Sequence, residues 1–514
     1  MKLPILQAQA DLHSSGTSGH GQDPHGMLYE NPLFWDKKHL DSELERVFTI
    51  CNGCRLCFNL CPSFDVMFKR IDALDPHAEE ASGKHLDAGH AQGMIEETDA
   101  AKLLEKVKVG TDNPVTLLGK DDYRKIVDLC YECKLCFPKC PYVPPHEFAV
   151  DFPKLVLRAK MQRAKDEGIG FREKFLGATD LNGSLMTKIA PLANVAAHNK
   201  FNRMLMEQTI GIAKDRELPD YADETFATWW SRRAPKLPAL PSDGVDDAHA
   251  HGHAIAAADS ATEAAAPVKP DEVALFFTCF VNYNDPTIGQ AGVEVLERAG
   301  CKVDCPEQVC CGMPKMDAGD LEGAKKLAKK NAELLLPSVR AGKKLLSPGP
   351  SCTLMLKQEY PELLGPEGKE IADATMDLSD YLLQLGRAKK LKKPEAKPGK
   401  VAFHVACHNR VQNIGYRGRD LLKWAGADVT LVDKCCGMDG TWGMKKEFFE
   451  ESLKIAEAAA QKVEGADPDT VSSDCPLAGI QLRQKTGRES FHPVKLLRAA
   501  YAGEPLKSVK KVKK

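Results

Sequence analysis

The sequence of 514 residues lacks the features that mark several large classes of protein. It contains no run of 18 or more apolar residues, so no membrane-spanning helix is expected. The N-terminal stretch has no apolar h-region, which excludes a secretory signal. No G-x-G-x-x-G follows a strand pattern and no G-x-x-x-x-G-K-[ST] is present, so the fingerprints of FAD, NAD and P-loop nucleotide binding are missing. The formal net charge is −2, which argues against nucleic acid as a partner.

Cysteine, by contrast, is abundant, with 18 residues in the chain. All of them except Cys301 and Cys305 fall into four sets of four. Disulfide frameworks are typical of small secreted domains, whereas this chain is large and carries no secretory signal. We therefore expect thiolates that bind metal in a reducing cytoplasm. The protein is expected to be cytoplasmic, either free or peripheral on the inner face of the membrane.

Two cysteine runs, CNGCRLCFNLCPS from Cys51 and CYECKLCFPKCPY from Cys130, share the spacing C-x2-C-x2-C-x3-C-P. Thiolates are soft ligands that suit iron, and in two-cluster ferredoxins the fourth cysteine of each run ligates the other cluster. Zinc is the alternative, but zinc frameworks usually space two cysteine pairs widely. The runs predict two [4Fe-4S] clusters: one on Cys51, Cys54, Cys57 and Cys140, and the other on Cys130, Cys133, Cys136 and Cys61.

From residue 272 onward, short apolar runs alternate with amphipathic segments. The strand patterns EVALFFTCF, KVDCPE and KKLLSPG are separated by the helical patterns IGQAGVEVLERAG and LEGAKKLAKKNAELLLPSVRAG. The same order recurs from KVAFHVACH onward. The alternation predicts βαβ units with parallel pairing, and the recurrence predicts an internal repeat.

Each repeat contains two adjacent cysteines followed by glycine, in CCGMP at Cys310 and CCGMD at Cys435. Neighbouring side chains diverge too far for a plain disulfide, but both can reach a metal at a strand-to-helix turn. The remaining cysteines stand at or just after strand ends, where open α/β sheets bind ligands. Buried reduced cysteines are the structural alternative. The predicted ligands are Cys279, Cys310, Cys311 and Cys352 in the first repeat, and Cys407, Cys435, Cys436 and Cys475 in the second.

With these motifs each repeat resembles the cysteine-rich CCG domain of heterodisulfide reductase. From about residue 45 the chain is similar to the iron–sulfur subunit of anaerobic glycerol-3-phosphate dehydrogenase and of glycolate oxidase, which pairs a two-cluster ferredoxin module with two CCG repeats. The family motif ends in C-x-x-C, but Gly349 replaces the first of these cysteines in repeat one and Ala478 replaces the second in repeat two. The heterodisulfide reductase type of cluster uses five thiolates. The four that remain in each repeat suit a [4Fe-4S] cluster or zinc.

The resemblance implies an electron-transfer subunit rather than a dehydrogenase. Such a subunit relays electrons between a flavoprotein dehydrogenase for glycerol 3-phosphate or a 2-hydroxy acid and a quinone or another redox protein. No catalytic residue is predicted, because the chain has no hydride-accepting cofactor site. Two alternatives stay open: a thiol–disulfide or peroxide-linked reductase centred on a CCG site, and a non-redox structural protein that binds zinc.

The expected fold is α+β and α/β, with a helical two-[4Fe-4S] ferredoxin-type module followed by two repeated βαβ cysteine-rich domains. The helical segment is expected to separate the ferredoxin-type module from the repeats. The predicted boundaries are a disordered leader over 1–39, the ferredoxin-type module with its insert over 40–150, a helical segment over 151–234, a linker over 235–271, the first repeat over 272–398, the second repeat over 399–500, and a basic tail over 501–514.

Overall fold

The computed structural model describes residues 23–75, 113–233, 271–504 and 506–508. The predicted linker lies outside these residues except for Asp271. Residues 1–22 of the predicted leader and residues 509–514 of the predicted tail also lie outside them. None of the helices among the described residues has the length and apolar character needed to cross a membrane.

Residues 23–39 belong to the folded body, so the prediction of a disordered leader is wrong for this part. Phe34 is fully buried. The Arg158 guanidinium holds the segment by donating to the carbonyls of Phe34 (2.8 Å), His25 (3.1 Å) and Leu33. Because these contacts run through backbone carbonyls, no periodic apolar pattern in the sequence indicates them.

The ferredoxin-type module is a group of short helices around an aromatic core. Phe152 lies between Phe48 and Phe64, with ring centroids 5.9 Å and 4.4 Å away. Since Phe152 begins the helix that follows the module, the next segment shares this core. The helices are α1 Lys37–Cys54, α2 Pro62–Leu74, α3 Lys120–Leu129 and α4 Cys136–Lys139, with 3-10 turns at Pro32–Trp35 and Pro114–Leu117.

The segment predicted to be helical is mostly helical, but residues 211–225 are irregular, and Ile212 in this stretch makes an isolated β-bridge to Lys445. Glycines with positive φ end two of its helices, Gly168 (φ 79°) and Gly211 (φ 66°), as expected of a residue without a Cβ. The helices are α5 Phe152–Glu167, α6 Phe171–Gly177, α7 Thr179–Thr187, α8 Ala190–His198, α9 Lys200–Ile210 and α10 Phe226–Arg233.

Each repeat forms its own four-stranded parallel sheet, which confirms the predicted βαβ units and the internal repeat. The strand order is β2-β1-β3-β4 in the first sheet and β6-β5-β7-β8 in the second. The two repeats therefore share one topology. The strands are β1 Glu272–Leu275, β2 Lys302–Asp304, β3 Lys344–Ser347, β4 Thr375–Asp377, β5 Lys400–His404, β6 Asp428–Val432, β7 Thr470–Ser473 and β8 Ser490–Phe491.

The central strands are nearly continuous buried runs, as strands covered on both faces by helices require. Three of the four residues of β1 and all four of β7 are buried. The covering helices of the first repeat are α11 Cys279–Tyr283, α12 Pro286–Arg298, α13 Met313–Asp317, α14 Leu321–Arg340, α15 Pro350–Leu354, α16 Tyr360–Leu364, α17 Pro366–Ala374 and α18 Leu378–Arg387. Those of the second repeat are α19 Cys407–Val411, α20 Arg417–Trp424, α21 Phe449–Ala466, α22 Pro476–Thr486 and α23 Pro493–Tyr501.

The ferredoxin-type module touches the repeats directly, so the prediction that the helical segment separates them is wrong. Tyr131 packs on Trp442 with ring centroids 4.9 Å apart, and the Trp442 indole donates to the carbonyl of Asp128 (3.0 Å). One buried apolar cluster contains Phe34, Tyr131, Met161 and Trp442 together with strands and helices of the first repeat. The module, the helical segment and both repeats therefore share a core.

Candidate metal centres

Four groups of thiols correspond to the four predicted sets, and we name them sites A to D. All sixteen cysteines are free and are either buried or half-buried. Site A is Cys51, Cys54, Cys57 and Cys140; site B is Cys61, Cys130, Cys133 and Cys136; site C is Cys407, Cys435, Cys436 and Cys475; and site D is Cys279, Cys310, Cys311 and Cys352.

Site A places the fourth cysteine of the second run beside the first three of the first run. Burial raises the pKa of Cys51 well above its usual range, and the neighbouring thiols of Cys140, Cys57 and Cys54 raise it further. Burial likewise raises the pKa of Cys57 to about 11 and that of Cys140 to about 12. The structure therefore brings these four thiols together across the two runs.

Site B is the reciprocal arrangement. Burial raises the pKa of Cys61 to about 12. It also raises the pKa values of Cys130, Cys133 and Cys136 well above their usual range, and the neighbouring charge of Cys61 adds to each. Cys61 of the first run thus lies with the first three cysteines of the second.

Tight turns hold the cysteines of the two runs, and they use left-handed residues that are not glycine. These are Arg55 (φ 50°) in the first run, and Glu132 (φ 52°) and Lys134 (φ 57°) in the second. Such backbone conformations persist only when the surroundings fix them. Buried ion pairs do this in the second run, where Glu132 pairs with Lys160 (2.9 Å) and Lys134 pairs with Glu359.

Two thiols stand at helix N-termini, each followed by a proline at the first helical position. Cys61 caps α2 and Cys475 caps α22. Burial raises the pKa of Cys475 to about 11, while the backbone N–H groups of Ala478 and Leu477 act in the opposite direction. N–H groups at a helix start stabilise negative charge, so both positions favour a bound thiolate.

Site C lies at the carboxyl ends of β5 and β7. Burial raises the pKa of Cys436 well above its usual range, and the neighbouring thiols Cys435 and Cys475 raise it further. For Cys407, burial again acts first, followed by the charges of Asp439, Cys133 of site B and the other thiols of site C. Site C therefore adjoins site B.

Asp439 is a buried carboxylate at the edge of site C. One carboxylate oxygen, the Cys407 sulfur and a His408 ring nitrogen all lie within 4.8 Å of one another. Burial raises the pKa of Asp439 well above its usual range, and the charges of Asp317 and Glu132 raise it further. The first repeat has Pro314 at the equivalent place in CCGMP, so the first repeat has no counterpart of Asp439.

Tyr131 and His408 connect site C to its neighbours. The Tyr131 hydroxyl lies 3.5 Å from the Cys435 sulfur. His408 contacts the Glu132 carbonyl through Nε2 (3.1 Å) and the Ser351 hydroxyl through Nδ1 (2.9 Å). Since a carbonyl only accepts, Nε2 carries the proton and Nδ1 accepts. Burial lowers the pKa of His408 to about 4, so the ring is neutral at pH 7.

Site D is a chain of thiols in contact. Hydrogen bonds from Cys279 and Cys311 lower the pKa of Cys310 well below its usual range. A further hydrogen bond joins Cys311 to Cys352. The backbone N–H of Cys310 donates to the Asp180 carboxylate (2.7 Å). This contact fixes helix α7 over site D.

The glycine after each adjacent cysteine pair is required by its backbone and its surroundings. Gly312 and Gly437 both have positive φ, 100° and 69°. A Cβ at Gly437 would lie 2.2 Å from the carbonyl oxygen of Ser452. This agrees with the close backbone approach inferred from the sequence.

Gly349 and Ala478 stand where the five-cysteine motif has thiols, and neither supplies a ligand. A Cβ at Gly349 would lie 3.0 Å from the Thr278 methyl group and 3.7 Å from the Cys352 sulfur. A cysteine there would require the Thr278 methyl group to shift by a few tenths of an ångström. Ala478 is 2% exposed and packs in the apolar cluster around Cys436.

The donor sets suit iron–sulfur clusters. Each offers four buried or half-buried thiols, and thiolates are the ligands that iron–sulfur clusters use. Zinc also accepts four thiolates. Buried thiols with raised pKa values also need a cation before they ionise.

A polar cleft of about 440 Å³ opens beside sites B and C. Its lining includes Cys130, Tyr131, Lys160, Asp439 and Trp442. The cleft gives a small molecule a route to the edge of both sites.

Several residues that shape the sites were not predicted from the sequence. Tyr131 and Trp442 join two distant segments, and no local pattern indicates such a pairing. Two residues did leave a signal in the sequence. Glu132 is an acidic residue inside a cysteine run, and Asp439 replaces the proline that the first repeat has at the equivalent position.

Comparison with known proteins gives the following similarities. Residues 273–357 and 401–483 match the cysteine-rich domain family CCG, and residues 107–166 match the citrate utilization protein B Fer4-like domain. The chain is 30% identical over 338 residues to the C subunit of anaerobic glycerol-3-phosphate dehydrogenase from Escherichia coli, covering 64% of this chain and 77% of that protein. It is 32% identical over 214 residues to lactate utilization protein A of Bacillus licheniformis, covering 38% and 87%.

Proposed function

The chain belongs to the iron–sulfur protein family of lactate utilization protein A and of the C subunit of anaerobic glycerol-3-phosphate dehydrogenase, and from this premise we propose that it is an electron-transfer subunit. It carries electrons between a flavoprotein dehydrogenase and a quinone or another redox acceptor. The substrate of the dehydrogenase is glycerol 3-phosphate or a 2-hydroxy acid, as the names of the relatives suggest.

The observation that carries this proposal is the succession of thiol sites from A to D. Burial raises the pKa of Cys61 in site B, and the charges of Cys435 in site C and then of Cys57 in site A raise it further. Tyr131 of the site B loop contacts Cys435 of site C. His408 follows Cys407 of site C and contacts Ser351, which precedes Cys352 of site D. Each site therefore has the next one as its neighbour.

We assign one [4Fe-4S] cluster to site A and one to site B, and a further iron–sulfur cluster to each of sites C and D, with zinc as the alternative in these two. Clusters bound at these thiols supply one-electron transfer. The protein contributes buried thiolates, aromatic and imidazole side chains between the sites, and nearby positive charge. Lys160 provides such charge at site B, where its ammonium group donates to the Cys130 carbonyl (2.7 Å).

Site A is the end of this succession that lies near the surface of the ferredoxin-type module. Leu56 and Phe58, on either side of Cys57, are 37% and 38% exposed. Exposed apolar side chains beside a redox site suit contact with a partner protein. We assign electron entry from the flavoprotein to this end.

The proposal is tested by assaying the iron-loaded protein with and without a flavoprotein. The protein alone should not oxidise glycerol 3-phosphate, lactate or glycolate with an artificial acceptor, and dithionite should reduce its clusters. Addition of a substrate-reduced flavoprotein dehydrogenase that copurifies with the chain should bleach the visible absorption of the clusters. Substrate turnover without any flavoprotein would overturn the proposal.

The cleft beside Asp439 and Cys130 favours a second candidate, a thiol–disulfide or peroxide-linked reductase that acts at site C. This candidate predicts that a disulfide or a peroxide reoxidises the dithionite-reduced protein at a rate that depends on Asp439. The electron-transfer proposal predicts reoxidation by a quinone with no such dependence on Asp439. Stopped-flow absorbance of the wild type and the Asp439→Asn variant separates the two.

A further inference from the structure

Exposed large apolar side chains are concentrated in one short part of the chain. Among the described residues, fourteen large apolar side chains are exposed. Ten of them lie between residues 171 and 205, and four lie elsewhere. A monomeric soluble protein rarely exposes so many together without a partner. The ten are Phe171, Phe175, Leu181, Leu185, Ile189, Leu192, Val195, Phe201, Met204 and Leu205, and we call them the apolar surface.

The apolar surface is built on four consecutive helices, α6 to α9, each packed against the next. Leu192 and Val195 are 72% and 71% exposed, and Phe201 is 67% exposed. Both α8 and α9 are therefore apolar on their outer sides, which is the character of helices that lie in a membrane interface.

The fully exposed charges on the same helices are positive. Lys174, Lys188 and Lys200 are exposed, whereas the acidic residues between 171 and 210 are all partly buried. All three of those acids have partners, since Glu173 pairs with Lys445, Asp180 accepts from the Cys310 N–H and Glu207 accepts from the Lys214 N–H. Exposed lysines around an apolar surface match anionic lipid headgroups, and each contributes about 1 kcal/mol near such a membrane.

The inner side of the same helices covers site D. Asp180 of α7 binds the backbone of Cys310. At Gly183 of α7 a Cβ would lie 2.3 Å from the Tyr283 ring, so the helix approaches the first repeat closely. One helix of about 10 Å diameter thus separates site D from the apolar surface.

We propose that the apolar surface binds the interfacial layer of an anionic lipid bilayer and holds site D against it. The binding is independent of the electron-transfer function. Its use, which is to bring site D close to a lipid-soluble acceptor such as a quinone, rests on that proposed function. The apolar side chains then supply burial, and the three lysines supply attraction to the headgroups.

The test is vesicle flotation of the full-length, iron-loaded protein. Vesicles of phosphatidylcholine with about a quarter phosphatidylglycerol provide the negative surface, and pure phosphatidylcholine vesicles provide the neutral one. The wild type should float with the anionic vesicles. Salt at 0.5 M should weaken but not abolish this, because a Debye length of about 4 Å screens the attraction of the lysines to the headgroups but not the burial of the apolar side chains. The Leu192→Glu, Val195→Glu, Phe201→Glu triple variant should bind at least tenfold more weakly.

The matched control is Leu117→Glu, because Leu117 is 54% exposed but lies in the ferredoxin-type module. It should float like the wild type. Visible absorption and iron content of each variant establish that folding and cluster loading are intact. A triple variant that binds vesicles like the wild type would overturn the proposal. So would a wild type that does not float but forms dimers that the triple variant abolishes, since a second copy would then cover the surface.

A second measurement separates this inference from the proposed function. If the triple variant loses reduction of a vesicle-embedded quinone but keeps that of a water-soluble quinone, both proposals are supported. If the wild type floats but reduces neither quinone when supplied with electrons, the membrane inference holds and the proposed acceptor is wrong.

Discussion

Glu132, inside the second cysteine run, forms a buried ion pair with Lys160 of helix α5. Their side chains are 2% and 10% exposed. The second carboxylate oxygen of Glu132 has no hydrogen-bond partner, so Lys160 is the cation that stabilises its charge. A pair of this kind contributes little net stability over an apolar pair, but removal of one partner leaves a buried charge uncompensated. The pair also holds Glu132 in its left-handed conformation between Cys130 and Cys133.

Glu132→Gln is therefore expected to lower the free energy of unfolding by about 3 kcal/mol, because buried Lys160 loses the carboxylate to which it donates (2.9 Å). Thermal unfolding followed by circular dichroism measures the effect. The control is Glu167→Gln. The side chains of Glu167 and Arg124 form an ion pair while being 53% and 55% exposed, and loss of such an exposed pair costs at most about 1 kcal/mol. Glu132→Gln combined with Lys160→Met should recover most of the loss. Equal effects of the two single variants would contradict the prediction.

Cys140 and Cys133 belong to the same run in sequence but to different sites in the structure. Cys140→Ser is expected to remove or alter the EPR signal of site A, and Cys133→Ser that of site B, because Cys140 lies with Cys51, Cys54 and Cys57. Reduced protein at low temperature gives the two signals, and Cys54→Ser assigns the site A signal. If Cys140→Ser and Cys133→Ser remove the same signal, the ligand sets proposed here are wrong.

At the scale of single elements, His492 caps the last helix of the second repeat. Its Nδ1 accepts from the Val494 N–H (3.2 Å) in the first turn of α23, while Nε2 donates to the Pro348 carbonyl of the first repeat (3.0 Å). Burial lowers the pKa of His492 from 6.5 to about 4. One neutral ring thus joins a helix cap to the contact between the two repeats.

Protonation of His492 should couple stability to pH. The unfolded chain binds this proton below about pH 6.5, but the folded chain binds it only near pH 4, so the free energy of unfolding falls as pH decreases through this window. The full difference corresponds to about 3 kcal/mol. His492→Asn keeps an acceptor for the cap and removes the ionisable ring, so its thermal midpoint should fall less between pH 7 and pH 5 than that of the wild type. Parallel pH profiles would contradict this.

The elements that the sequence predicts are those with long apolar runs. The central strands β1, β3, β5 and β7 are buried on both faces, which makes them readable as continuous apolar patterns. The edge strands β4 and β8 have three and two residues and were not predicted, whereas β2, also of three residues, was predicted from its place in the alternation of strand and helix patterns. The candidate thiols of the two cysteine runs could be predicted, because ligands that share one loop recur at a fixed spacing in the sequence. Contacts such as Tyr131 with Cys435 join residues 304 positions apart and leave no local pattern.

At the scale of the whole molecule, the two halves of the chain meet over an extensive interface on the repeats. The Ala213 N–H donates to the Met444 carbonyl (2.9 Å), and Arg216 donates to the Ser452 hydroxyl (2.9 Å). Arg172 pairs with Glu447 (2.7 Å). Thiol sites C and D are themselves covered by residues of the first half. An interface of this extent fixes the relative position of the halves, which the succession from site A to site D requires.

This interface should hold the protein together without a continuous chain. Coexpressed fragments 1–240 and 265–514, divided outside the described residues, should copurify in equal amounts with the iron content and absorption spectrum of the intact protein. Fragment 265–514 alone contains all eight thiols of sites C and D, but it lacks Tyr131, Asp180 and Arg216. It should therefore unfold at a lower temperature and lose its metal faster in air, because water reaches those thiols. Tyr131→Ala in the first fragment should weaken the copurification, whereas Leu117→Ala, at an exposed position of the same fragment, should not. A second fragment as stable alone as in the complex would mean that the repeats form an independent unit and that the covering residues do not protect the sites.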